Sequence, residues 1–245
     1  MKLVSTNNFQ IAVNEYGNSG ADKLCILLPG RLDTKDYINF VSHGNFLSKR
    51  GYYVIAIDPP YTWDSPGSLQ DYTTSAYVQS IHELIEHFGN KKTLLLGHSR
   101  GGATAMLASR NPHVEAIVLV NAAYGSPTPP DKSKLIDGCL PESRDMPPGD
   151  KRTKEQRKFM LPMTYFSDGN RHDPVASLRK FDGAKLLVHA TNDEFCGPDK
   201  VQHVFDSLEE PKKYLEINST HDYRLFPEVV EQVNQAVDPM IKELQ

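Results

Sequence analysis

The sequence predicts an α/β protein: a mainly parallel sheet of about eight strands with helices on both faces and a small insertion. Three observations predict it. Short runs rich in Leu, Ile and Val alternate along the chain with longer amphipathic stretches of helical period. A Gly-x-Ser-x-Gly segment joins one of these runs directly to a helical one. The 245 residues are 39% apolar and 24% charged, enough to build a sizeable core and too apolar for wholesale disorder.

Seven strands can be placed one by one. Gln10–Tyr16 alternates Ile11, Val13 and Glu15 as a half-exposed strand does. Leu24–Leu28, Tyr53–Ile57, Thr93–Leu96, Ala116–Val120, Lys185–Val188 and Tyr214–Ile217 are short and mostly apolar on both faces, as parallel strands covered by helices must be. Between them lie helical stretches at Tyr37–Arg50, Thr73–Phe88, Gly102–Arg110, Asp199–Ser207 and Phe226–Leu244. Tyr77, Ile81, Leu84, Ile85 and Phe88 share one face of the second, and Val229, Val230, Val233, Val237 and Ile241 one stripe of the last.

The rhythm breaks between residues 124 and 180, where prolines cluster and no strand is evident. A structureless loop of that length is unexpected in a compact domain, so residues 124–180 read as an inserted cap of short helices, with the basic run 151–158 on a solvated helix face. Residues 1–123 and 181–245 form the core.

Composition narrows the function. Lys and Arg number 27 against 31 Asp and Glu, so the basic excess of a nucleic-acid binder is missing. No apolar run approaches the roughly 20 residues needed to span a bilayer, and the start lacks the apolar stretch of a secretory signal. The expected protein is cytoplasmic, with no nucleic-acid or membrane partner. Its three cysteines, Cys25, Cys139 and Cys196, are too few and scattered for a disulfide framework or zinc site. No metal and no organic cofactor are expected.

The chemistry centres on Gly97-His98-Ser99-Arg100-Gly101. A serine lifted above the end of a strand needs a tight, strained turn. A Cβ at position 97 or 101 would crowd the neighbouring strand and helix. The helix that follows aims its first N–H groups at an oxyanion formed beside Ser99. A serine hydroxyl also needs a base, and the base an orienting carboxylate, here in the chain order Ser, acid, His. The loop after the strand at 185–188 carries Asp193 and Glu194. Among nine histidines, His221 alone follows the last strand at the sheet edge that carries Ser99.

These residues resemble those of the α/β-hydrolase superfamily over nearly the whole chain apart from the insertion. Residues 97–101 look like its nucleophile elbow, Thr191-Asn192-Asp193 its acid loop and Ser219-Thr220-His221 its histidine loop. The resemblance implies Ser99, Asp193 and His221 as catalytic residues, with Glu194 the second candidate for the acid. It also implies an oxyanion hole from the backbone N–H groups of Arg100 and Arg31. In Leu28-Pro29-Gly30-Arg31, however, proline stands where the superfamily has histidine.

Candidate pocket residues are Tyr61 and Trp63, which could instead pack the turn after Asp58, and Met160, Met163 and Phe166 of a modestly apolar roof. The side chains of Arg31 and Arg100 could clamp an anionic substrate or make structural ion pairs. The expected activity is hydrolysis of a carboxylic ester or related small acyl compound. Thioesterase, C–C hydrolase, lactonase and perhydrolase chemistry stay open, as does a non-catalytic binding or scaffold protein on this fold.

Overall fold

The computed structural model describes residues 2–244. One eight-stranded sheet forms its centre, in the order β1-β2-β4-β3-β5-β6-β9-β10. Strands β1 (Lys2–Ser5) and β2 (Gln10–Tyr16) are antiparallel to each other, and β2 is antiparallel to β4 (Tyr52–Ile57). The other five strands are β3 (Lys23–Leu28), β5 (Lys92–His98), β6 (Val114–Val120), β9 (Ala184–Asn192) and β10 (Lys212–Thr220). They pair in parallel with one another, and β3 pairs in parallel with β4.

Period-two alternation sends each strand's side chains into two cores. Ile26, Ile55, Leu95 and Ile117 meet α2 (Thr74–His87), α3 (Arg100–Ala108) and α6 (Pro198–Asp206) on one face. Leu27, Val54, Leu94 and Val118 meet α1 (Ile38–Ser48) and α7 (Pro227–Glu243) on the other. The sheet therefore has helices on both faces and eight strands. The eighth, β1, has no sequence signature, because only Val4 of its four residues is buried. No described helix is long and apolar enough to cross a membrane.

The stretch between β6 and β9 differs from the expectation of helices alone. It forms an antiparallel hairpin, β7 (Cys139–Asp145) and β8 (Gln156–Pro162), followed by α4 (Met163–Gly169) and α5 (Pro174–Leu178). The basic run at 151–158 is loop and strand rather than a helix face. The physical reason is a period of two: Phe159 and Leu161 are buried, whereas Gln156, Lys158 and Met160 are exposed. Phe159, Leu161, Tyr165 and Phe166 join the core on the α2–α3 face and tie the insertion to it.

The loop after β3 is held by a buried cation. Asp36, Asp58 and Asp64 bring carboxylate oxygens close enough together to hold a metal ion, and the Lys35 ammonium bonds all three at 2.7, 2.9 and 2.9 Å. Burial disfavours its charge, but the three carboxylates more than offset this and hold the Lys35 pKa above its ordinary value. Lys35→Met leaves Asp58 buried without its cation. It is expected to lower the unfolding free energy by about 3–5 kcal/mol in urea titration, with partial recovery in the Lys35→Met/Asp58→Asn double variant.

Candidate active site

Ser99 sits between β5 and α3 at φ 52° and ψ −118°, a left-handed conformation that a serine adopts only under constraint. Four backbone bonds hold it there. Its N–H donates to the Val120 carbonyl at 3.1 Å, and its carbonyl accepts from the N–H groups of Gly102, Ala103 and Ala123 at 3.0, 3.3 and 2.9 Å. The glycines make this geometry possible. A Cβ on Gly97 would run into the Gly101 carbonyl, and one on Gly101 into that of Leu28. Both lie on backbone that cannot yield, as the sequence predicts.

His221 lies on the loop after β10. Its Nε2 is 2.9 Å from Ser99 Oγ, and its Nδ1 is 3.0 Å from each carboxylate oxygen of Asp193. The Asp193 side chain is fully buried, and one oxygen accepts from the N–H groups of Phe195 and Cys196 at 2.8 and 3.2 Å. Burial raises its pKa, but the bond and charge of His221 and these N–H donors outweigh that and hold it below the ordinary carboxylate value. Glu194 takes a different place: its Oε2 accepts from the His221 backbone N–H at 3.2 Å and does not meet the ring.

Several residues that the sequence did not single out fix His221 from behind. The Asn121 side-chain amide donates to the His221 carbonyl at 2.9 Å, and His98 Nε2 donates to the same oxygen at 3.1 Å. His98 Nδ1 faces Asp33 at 3.4 Å, and Asp33 in turn meets Arg144 Nε at 3.4 Å. These residues lie far apart in the chain, and only the sequence position of His98, inside the elbow, hinted at a role.

Arg100 and Arg31 carry the two backbone N–H groups expected beside Ser99. Arg100 is the first residue of α3, where no intrahelical acceptor exists. Arg31 follows Gly30, whose α-carbon faces the serine: a Cβ there would lie 3.2 Å from Ser99 Cβ. Both arginine side chains are engaged within the protein. Arg31 pairs with Glu142 at 2.7 Å, while Arg100 donates to the Gly125 carbonyl and the Tyr165 hydroxyl.

A cleft of about 410 Å³ opens over Ser99 and His221. Its roof comes from the hairpin and is polar, carrying Glu142, Arg144, Asp145 and Arg152. Phe195 and Tyr124 are the aromatic side chains in its wall. The five pocket residues expected from sequence are elsewhere. Trp63 donates to the Leu32 carbonyl and packs edge-on against Tyr37 and Phe159, and Tyr61 lies against Phe9. Phe166 is core, Met163 packs on the core, and Met160 points outward at 41% exposure. The apolar residues of the insertion anchor it and do not form an apolar roof.

The His98–Asp33 pair makes a pH prediction. Burial alone would lower the His98 pKa, but the Asp33 bond and charge raise it above the ordinary value. Stability from a raised histidine is fully present below its unfolded pKa of about 6.5 and is lost as pH rises through the folded value. In Asp33→Asn burial prevails, and the sign reverses. Urea unfolding is therefore expected to show the advantage of wild type over Asp33→Asn shrinking from pH 5.5 to pH 8.

The comparisons with known proteins agree with this fold. Residues 24–142 match the family model described as the alpha/beta hydrolase fold, and residues 149–245 match one described as PhoPQ-activated pathogenicity-related protein. A 2-hydroxy-6-oxononadienedioate/2-hydroxy-6-oxononatrienedioate hydrolase of Pseudomonas sp is 27% identical over 139 residues, covering 54% of this chain and 48% of that protein. A monoacylglycerol lipase of Xenopus laevis is 28% identical over 169 residues, covering 67% and 47%. The chain thus spans about half the length of these curated relatives. Among solved structures, Est1E from Butyrivibrio proteoclasticus with bound ferulic acid superposes with a TM-score of 0.76 at 18% identity, covering 99% of this chain and 100% of its own. With the eight-stranded sheet and the strained strand–helix turn, these matches show that the chain has the α/β-hydrolase fold.

Proposed function

We propose that the protein is a serine hydrolase that cleaves a carboxylic ester or related acyl compound through an acyl-enzyme. One observation carries the reading: His221 Nε2 stands 2.9 Å from Ser99 Oγ while a buried carboxylate holds the opposite ring nitrogen. A solvated surface serine has no use for that arrangement, and a binding module does not require it.

In the proposed mechanism His221 takes the Ser99 proton as Oγ bonds to the acyl carbon. The carbonyl electron pair moves onto oxygen, and the N–H groups of Arg100 and Arg31 stabilise it. Asp193 keeps Nδ1 protonated, so Nε2 is free to accept, and stabilises the imidazolium that forms. Collapse of the intermediate breaks the bond to the leaving alcohol, which takes the proton from His221. Water then repeats the sequence on the acyl-enzyme and releases the acid.

The polar, ion-paired roof supports compact or polar acyl substrates over long-chain lipids, because burying an aliphatic chain against paired charges gains little. Phe195, 74% exposed with its ring centroid 4.7 Å from that of His221, is the apolar surface available to such a substrate. The two curated relatives, one named as a monoacylglycerol lipase and one as a hydrolase of an oxo-dienedioate, differ widely in substrate. A panel of short and long esters with matched thioesters therefore belongs with the first assay.

Turnover of p-nitrophenyl acetate tests the reading. Ser99→Ala is expected to reduce kcat/KM by at least about 10³-fold and Asp193→Asn by about 10⁴-fold, with circular dichroism unchanged. Wild-type rates in Ser99→Ala would refute it.

A further inference from the structure

The oxyanion-side loop is a tight turn, Gly30–Asp33, closed by the Asp33 N–H on the Gly30 carbonyl at 3.2 Å. Leu32, its third residue, has φ 60°, while Arg31 does not lie at positive φ, as in a type II turn. Glycine is the residue this position favours. A buried leucine there is strained, and the turn relaxes by rotating its backbone, the Gly30–Arg31 peptide included, unless something holds it.

The carbonyls of the turn are each held away from the serine. Pro29 O accepts from the Tyr77 hydroxyl at 3.1 Å, Gly30 O from Asp33, and Leu32 O from Trp63 Nε1 at 2.7 Å. These donors belong to the core. The central carbonyl, that of Arg31, is held instead by the insertion: Arg144 of β7 donates to it from Nε at 3.0 Å and from Nη2 at 2.8 Å. The same guanidinium bonds Glu142 at 3.0 Å, whose other oxygen pairs with the Arg31 side chain at 2.7 Å. It also lies 3.4 Å from Asp33. Flanked by two carboxylates, Arg144 has its charge satisfied within the protein and is poorly placed to attract a substrate anion.

We infer that Arg144 is a positioning residue: its forked bond to the Arg31 carbonyl holds the strained Gly30–Asp33 turn in the form that presents the Arg31 N–H to the oxyanion. The insertion is then part of the catalytic apparatus as well as a cover over it, because docking of the hairpin is what completes the hole. The inference rests on the serine-hydrolase reading above and adds a residue to it.

The test compares Arg144→Gln and Arg144→Lys with wild type, using p-nitrophenyl acetate as substrate and a short-chain trifluoromethyl ketone as inhibitor. Ser99 adds to the ketone carbon with proton transfer to His221, and the carbonyl electron pair becomes an oxyanion on the ketone oxygen, so its affinity reports the hole. Arg144→Gln is expected to lower kcat by about 10- to 100-fold and to weaken the ketone by the same factor, with KM changed no more than about twofold. Arg144→Lys keeps the charge that Asp33 and Glu142 require but cannot form the fork, so it is expected to recover only part of both losses. Should Arg144→Gln melt below the assay temperature, Arg144→Lys decides the matter by the same two readouts.

Unchanged ketone affinity in the folded variants, a rise in KM alone, or complete recovery in Arg144→Lys would each overturn the inference. Any of these, with Ser99→Ala still inactive on the ester, leaves the parent reading standing. Activity surviving in Ser99→Ala removes the parent reading instead.

Discussion

The backbone of Ser99 is bent into a conformation that a free chain would leave at once, and the rest of the site depends on its staying there. Four hydrogen bonds from β6, α3 and the segment after β6 hold it, while Gly97 and Gly101 let the helix approach the strands closely enough for those bonds to form. The local strain of order 1–3 kcal/mol is offset by a sheet whose central strands are buried apart from Lys92 and Glu115. In return, Oγ stands at the carboxyl edge of the sheet. There the loops after β3, β9 and β10 also lie, so Ser99 and His221, 122 positions apart in sequence, converge within hydrogen-bonding distance.

The histidine loop depends on that same edge. His221 is held at both ring nitrogens, by Ser99 and Asp193, and at both main-chain groups. Glu194 accepts from its N–H, and Asn121 and His98 donate to its carbonyl. Asn121 also accepts from the Ala190 N–H through its side-chain oxygen, so one amide ties β6, β9 and the histidine loop together. His98 carries the connection onward to Asp33 and Arg144, which links the histidine loop, the Gly30–Asp33 turn and the hairpin.

What could be read from sequence was the part that local rules govern. The helices and buried strands follow from apolar period, and the serine turn from its glycines. His221 and the acid loop follow from chain order around that turn. Asp193 rather than Glu194 on the ring accords with the resemblance, since adjacent carboxylates on one loop look alike until the backbone aims them. Proline and charge density in the stretch between β6 and β9 mask a period of two that only Phe159 and Leu161 carry strongly. The cleft lining escapes the sequence for a related reason. Aromatic and thioether side chains near a site suit a core as well as a cleft, and here Trp63 and Phe166 went to the core. Arg144, Asp33 and Asn121 carry no local signal, because their roles exist only in contacts across 65 or more residues.

Intact-mass measurement after incubation with a small fluorophosphonate tests most directly whether Ser99 is an activated nucleophile. Attack by Ser99 Oγ on phosphorus expels fluoride and leaves a stable phosphonyl ester. A single adduct on the wild-type chain, absent from Ser99→Ala, is the result predicted. No adduct on the folded wild-type chain, or an equal adduct on both, would contradict it.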